Sequence, residues 1–176
     1  GVHPRGTQAA SESFRRFDRP DLRGSRRPVI YLDTSYLAKF YLDEANAPAV
    51  VSWAEGKGDF VCAAHGRLEL VVTFKRKQRE GAITPTQLGA LIRTHEQDEA
   101  IGLLRWLPLD LALIRTACAR MAKLPPAAFL RTADALHLAC AADAGLKEIY
   151  SHDRHLLAAA PHFGLRGVDL ISPKST

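Results

Sequence analysis

Three absences narrow this chain before any motif is read. No apolar run approaches the ~18 residues of a membrane span, and no secretory signal is visible. Cysteine is scarce: Cys62, Cys118 and Cys140 are an odd number without C-x-x-C spacing, which argues against a disulfide framework and a zinc site. All three sit among apolar neighbours, so buried, reduced thiols in a cytoplasmic protein are expected. No internal repeat or low-complexity segment is present either.

A basic surplus is also missing from most of the chain. The net charge is +5, but residues 1–27 hold seven arginines against Glu12, Asp18 and Asp21. That stretch carries +4, leaving +1 for everything else, so the pI of 9.3 does not argue for nucleic acid by itself. Rich in Arg, Ser, Gly and Pro and without hydrophobic periodicity, residues 1–27 read as a flexible tail or a vector-derived extension. A sharper reading is a partner-binding arm anchored by Phe14 and Phe17, whose arginines reach an acidic groove.

What remains, residues 28–176, is long and apolar enough for one soluble domain with a sizeable core; the whole chain is 176 residues and 47% hydrophobic. Short β-rich runs at 29–33, 59–62, 103–109, 147–150 and 168–171 alternate with helical patterns. The helices are expected at 36–42, 47–55, 65–79, 84–99, 111–123, 129–144 and from 154. Thr84, Asp110 and Gly145 supply cap signals. Such alternation predicts a three-layer α/β/α sandwich on a mostly parallel sheet of about five strands.

Acids interrupt this apolar plan at four places. In the helix 129–144, Asp134 shares a face with Leu130, Leu138 and Ala141, within about 40° at ~100° per residue. An ionised carboxylate there costs several kcal/mol unless a cation or donors offset it. Glu69 lies on a helix whose segment 68–74 is apolar nearly all round, in a narrow polar stripe with His65, Thr73 and Arg76. Asp33 and Asp153 each end a strand, the position from which ligands are met in open α/β sheets, although either also suits a helix cap. Four carboxylates converging would repel strongly, and a shared divalent cation removes the repulsion. All-oxygen ligation suits Mg²⁺, with Mn²⁺ as a substitute. A metal so held does phosphodiester hydrolysis well, by activating water and stabilising charge on phosphorus oxygens.

The stretches Val29-Ile30-Tyr31-Leu32-Asp33-Thr34-Ser35, Arg67-Leu68-Glu69-Leu70, Thr132 to Ala139 and Ser151-His152-Asp153-Arg154-His155-Leu156 together resemble the PIN domain. Within it they look like the VapC-type toxins of bacterial toxin–antitoxin pairs. The resemblance spans about residues 28–172 and is most specific around Asp134 and Asp153. It implies a Mg²⁺-dependent endoribonuclease, homodimeric, inhibited by a cognate antitoxin whose C-terminal segment occupies the active-site groove. Carried over position by position, the catalytic and metal-binding acids are Asp33, Glu69, Asp134 and Asp153, with Thr34 and Ser151 as supporting hydroxyls. The Arg-rich extension departs from the family pattern.

On this reading Asp33, Asp134 and Glu69 hold a first ion, and Asp153 completes the cluster or holds a second. RNA must be single-stranded or looped to reach a narrow acidic cleft. Candidates to attract its backbone are Lys39, Lys75, Arg76, Arg131 and Arg154. His137 is expected in the core, and a substrate contact is the less favoured of the readings of His152. A phosphatase with an Asp33 nucleophile would want an acid two residues on, where Ser35 stands. The alternatives are a PIN-like nuclease that is not a toxin, or a non-enzymatic α/β binding module whose acids are inert caps.

Overall fold

A computed structural model describes residues 27–171; the Arg-rich stretch 1–26 and residues 172–176 lie outside the described residues, as does any arm at Phe14 and Phe17. Five short strands form: β1 (Val29–Tyr31), β2 (Asp59–Ala63), β3 (Leu104–Leu107), β4 (Glu148–Tyr150) and β5 (Arg166–Val168). Seven α-helices connect and cover them: α1 (Thr34–Leu37), α2 (Ala47–Ala54), α3 (Ala64–Arg79), α4 (Pro85–Ala100), α5 (Leu111–Met121), α6 (Thr132–Asp143) and α7 (Arg154–Ala159). Two short 3₁₀ turns, Ala38–Phe40 and Ala160–Phe163, extend α1 and α7.

Among the described residues every strand pairing is parallel. β1 pairs with β2, β2 with β3, and β4 with β5, while a single bridge from Leu32 to Tyr150 joins the two groups. The spatial order is therefore β3-β2-β1-β4-β5. The chain winds outward from β1 in one direction, then returns to the other side of β1 as β4. That reversal makes the gap beyond the carboxyl ends of β1 and β4 the place where a parallel sheet opens a ligand crevice.

Alternation along the strands builds the layers. Tyr31 and Val61 point into a core with Leu113 of α5, Leu138 of α6 and Leu156 of α7. Their neighbours Leu32, Phe60 and Cys62 point the other way, against Leu37 of α1, Val50 of α2, Leu70 and Phe74 of α3 and Leu88 of α4. Fully burying a side chain such as Phe74 or Leu138 contributes about 1.5–3 kcal/mol. The three-layer α/β architecture is the one expected.

Several local expectations are corrected. β5 lies at 166–168, not 168–171, because Gly164 turns the chain at φ 76° and Leu165 is already buried. Beyond Val168 the chain leaves the ladder, where Leu170 N donates to the Tyr36 hydroxyl and that hydroxyl donates to Asp169. α6 starts at Thr132 rather than 129, since Arg131 is extended and only its carbonyl enters the helix, accepting from Ala135 N. On α3, Leu68 and Val72 are exposed rather than packed. Cys118 is exposed as well; Cys62 and Cys140 are buried, and none of the three is in a disulfide.

Candidate active site

Asp33, Glu69, Asp134 and Asp153 all line one cleft of about 420 Å³ at the switch point, together with Thr34, Ser35, Arg131, His137 and His152. The local folding rules place each acid. Asp33 follows β1 and caps α1, Oδ1 accepting from Tyr36 N at 3.1 Å. Asp153 follows β4 and caps α7, Oδ1 accepting from His155 N and Leu156 N at 2.8 and 3.2 Å. Asp134 sits in the first turn of α6, where the helix dipole favours an anion. Glu69 lies one turn into α3, which begins directly after β2. In both residues Oδ1 caps the helix, while Oδ2 accepts from Ser151 Oγ in Asp33 and from Arg131 Nη2 in Asp153.

Hydroxyls set the carboxylate orientations. Ser151 Oγ donates to Asp33 Oδ2 at 2.5 Å and Ser35 Oγ to Asp33 Oδ1 at 2.6 Å. Burial nevertheless pushes the Asp33 carboxyl above its ordinary pKa, with these donors opposing it. Glu69 behaves oppositely. Burial raises it, but the bonds to its Oε2 from His137 Nε2 at 2.9 Å and Thr34 Oγ1 at 2.6 Å outweigh burial and hold it at about 2. His65, 4.0 Å from the same oxygen, is pushed down to about 4 by burial and by His137 beside it. Asp134 and Asp153 share a cation: Arg131 Nε reaches Asp134 Oδ2 at 2.9 Å and Arg131 Nη2 reaches Asp153 Oδ2 at 2.5 Å.

The donor set fits a hard divalent ion. Five carboxylates line the cleft against the cations Lys39, Arg76 and Arg131, and Glu44 among them is paired with both Lys39 and Lys77. Buried Asp33, biased toward protonation, gains most from a cation. Acids spread around a cleft of this size suit an ion that keeps several waters and takes only one or two carboxylates directly. Among the described residues, the group of three ligand-capable side chains that closes to within 4.8 Å is His65, Glu69 and His137; no three of Asp33, Glu69, Asp134 and Asp153 come that close.

The basic candidates separate. Arg76 lines the cleft and is half exposed, with Glu80 3.9 Å away. Lys39 also lines it, but is only 8% exposed and pairs with Glu44 at 3.3 Å, because the 3₁₀ turn tucks it under the following loop; it is not a solvated rim cation. Arg131 is 60% exposed yet committed to two acids. Arg154 and Lys75 are exposed outside the cleft, beside His155 and Gln78 respectively. His152, half exposed at the rim, contacts Asp169 at 2.9 Å. His137 is in the core as expected, and is also bonded to Glu69, which its place on an apolar helix face concealed. Ser35 and the counterion role of Arg131 were missed too.

A doubly wound parallel sheet with an acidic, hydroxyl-braced cleft at its switch point defines the class of protein. The PIN domain family profile matches residues 30–161, and the chain belongs to that family, whose members are typically metal-dependent nucleases. Solved structures share its fold. VapC20 from Mycobacterium tuberculosis, a sarcin–ricin loop cleaving toxin, superposes with TM-score 0.57 at 18% identity, over 74% of this chain and 94% of its own. FitAcB from Neisseria gonorrhoeae gives TM-score 0.60 at 19% identity, over 78% and 95%. FitAB bound to an IR36 DNA fragment gives TM-score 0.60 at 15% identity, over 80% and 94%. No curated protein sequence matches the chain. Among the described residues, no helix is long and apolar enough to cross a membrane.

Proposed function

We propose that this chain is a Mg²⁺-dependent endoribonuclease acting as the toxin of a toxin–antitoxin pair. One observation carries the reading: four acids drawn from 121 positions of sequence line a single cleft in which carboxylates outnumber the lining cations. Asp33, Glu69 and Asp134 would hold the ion, with Asp153 completing the set; Mn²⁺ would substitute. When bound, the ion supplies a nucleophilic water and polarises the phosphodiester. The chain's own groups do the rest. Ser151 and Ser35 keep Asp33 aimed, and Thr34 keeps Glu69 ionised. His152 and Arg76 stand at the cleft to meet an extended RNA strand.

The catalytic domain is residues 28–176, and residues 1–27 form an extension outside it. An antitoxin segment bearing a cation would fit the acidic cleft. Exposed Leu68 and Val72, a turn apart on α3, offer apolar surface for self-association as a homodimer, readable by light scattering. The test of activity is Mg²⁺-dependent cleavage of single-stranded and stem-loop RNA by the purified protein. Asp134→Asn is expected to abolish cleavage while circular dichroism stays unchanged, and EDTA to stop the wild type. Cleavage indifferent to both would overturn the nuclease reading and favour a binding module. Cleavage without growth arrest on expression would make it a nuclease that is not a toxin.

A further inference from the structure

Behind Glu69 runs a buried chain of hydrogen bonds whose protons can be counted. The Tyr31 oxygen accepts the Ala63 N–H at 3.0 Å and lies 2.9 Å from His137 Nδ1. Tyr31 is wholly buried and carries one hydroxyl hydrogen, which goes unsatisfied unless Nδ1 takes it. The other group near Nδ1, Cys62 Sγ at 3.9 Å, is at best a weak donor and does not change the direction. Nδ1 is therefore an acceptor, and the ring proton belongs on Nε2, which faces Glu69 Oε2 at 2.9 Å.

We propose that Tyr31 and His137 are positioning residues: Tyr31 locks His137 as its Nε2–H tautomer, and that N–H anchors Glu69 through Oε2, leaving Oε1 for a divalent cation. Among the described hydrogen bonds, those to Glu69 fall on Oε2. The inference rests on Glu69 being a metal ligand, as proposed above.

The same side chains suggest a rival, since two imidazoles and a carboxylate within 4.8 Å are a donor set for a transition metal. The hydrogens decide against it. His65 Nε2 lies 3.2 Å from the Ala133 carbonyl, which accepts only an N–H, so its proton is on the nitrogen nearer Glu69. His65 Nδ1 holds the lone pair and is buried with no hydrogen-bond partner among the described residues. Both nitrogens nearest Glu69 thus carry protons, and an ion there would have to strip two of them and break two hydrogen bonds.

The experiment uses ¹⁵N-labelled full-length protein. Long-range ¹H–¹⁵N correlations read the His137 tautomer, Mn²⁺ titration followed by electron paramagnetic resonance reads metal affinity, and RNA cleavage is measured alongside. Wild type is expected to show Nε2 protonated and Nδ1 bare. Tyr31→Phe, which removes one oxygen and opens no large cavity, is expected to mix the tautomers and weaken Mn²⁺ binding by about 10-fold, the low end for outer-shell partners. His137→Gln supplies an amide donor in place of the ring N–H and should retain more Mn²⁺ affinity than His137→Leu; this comparison decides the matter should Tyr31→Phe fold poorly. A wild-type proton on Nδ1, equal affinities in His137→Gln and His137→Leu, or Zn²⁺ stripping the Nε2 proton at stoichiometric concentration would overturn the relay. Wild-type protein with the Nε2–H tautomer that neither binds Mn²⁺ nor cuts RNA would overturn the nuclease reading instead.

Discussion

Arg131 places Nη2 2.5 Å from Asp153 Oδ2, so the residue before α6 ties itself to the residue before α7. Its Nε simultaneously holds Asp134. Two acids proposed to serve a metal are therefore screened from each other by a guanidinium fixed in a fork. Arg131→Met keeps the apolar stem and removes the charge. In EDTA the variant should melt lower, by the ~0–1 kcal/mol of an exposed pair, about 2–4 °C at most. Its melting temperature should then rise more with Mg²⁺ than that of wild type, and Mg²⁺ affinity by calorimetry should increase several-fold. Unchanged affinity would show that Arg131 does not compete with the ion.

The Thr34 hydroxyl on Glu69 makes a prediction in acid. The folded-state pKa of Glu69, about 2, is depressed below the ordinary 4.5. Its contribution to stability is therefore fully present above pH 4.5 and is lost as pH falls toward 2. Thr34→Val removes one donor and brings the folded value closer to 4.5. Carboxyl ¹³C titration should show Glu69 protonating at higher pH in the variant. Thermal melts should find wild type ahead at pH 6 and the gap narrowing by pH 3. A gap constant across that range would mean the hydroxyl matters only for packing.

Much of this site was legible because its acids violate a pattern. Asp134 breaks an apolar helix face, and Asp33 and Asp153 end β-rich runs, so each stood out from neighbours a few residues away. Partners chosen by the three-dimensional fold left no such mark. His137 on its helix looks like any buried residue, since Tyr31 and Glu69 lie 106 and 68 positions away. Arg131 read as a rim cation because its second acid is 22 residues distant. Lys39 misled for the converse reason: a lone lysine on an otherwise apolar helical stretch, 36–42, suggests a side chain reaching solvent, and only the 3₁₀ geometry pairs it with Glu44. The sheet order was likewise out of reach, because alternation implies parallel strands but does not say on which side of β1 the chain returns.

Gly66 shows how little room the site leaves. A Cβ there would stand 2.6 Å from Cys62 Sγ, 3.1 Å from Thr34 Oγ1 and 3.4 Å from His137 Cε1. α3 can approach the sheet this closely only without a side chain at that position. Gly66→Ala should destabilise by about 1–3 kcal/mol as α3 shifts outward, carrying Glu69, three residues on, out of register with Thr34. Denaturant unfolding would measure the loss, and Mn²⁺ affinity should fall with it. Adding Cys62→Ala removes the nearest obstacle, so the double variant should be more stable than the two single losses summed.

His95 lies outside the cleft. It is 1% exposed, its ring edge-on to Tyr41 and Trp106 at 6.1 and 5.6 Å, and neither ring nitrogen has a hydrogen-bond partner among the described residues. Burial, with Arg67 adding to it, pushes its pKa below the ordinary 6.5. The unfolded chain therefore takes up a proton that the folded chain resists. Stability from the neutral ring is intact above pH 6.5 and declines as pH drops below it. His95→Phe keeps the edge-on aromatic contacts and discards two unpaired nitrogens, an exchange that is neutral or stabilising when the shape is preserved. Its melting temperature should match or exceed that of wild type at pH 8, with an advantage that widens at pH 5. A variant less stable at both values would mean that the ring nitrogens are bonded, through water, to something the phenyl ring cannot replace.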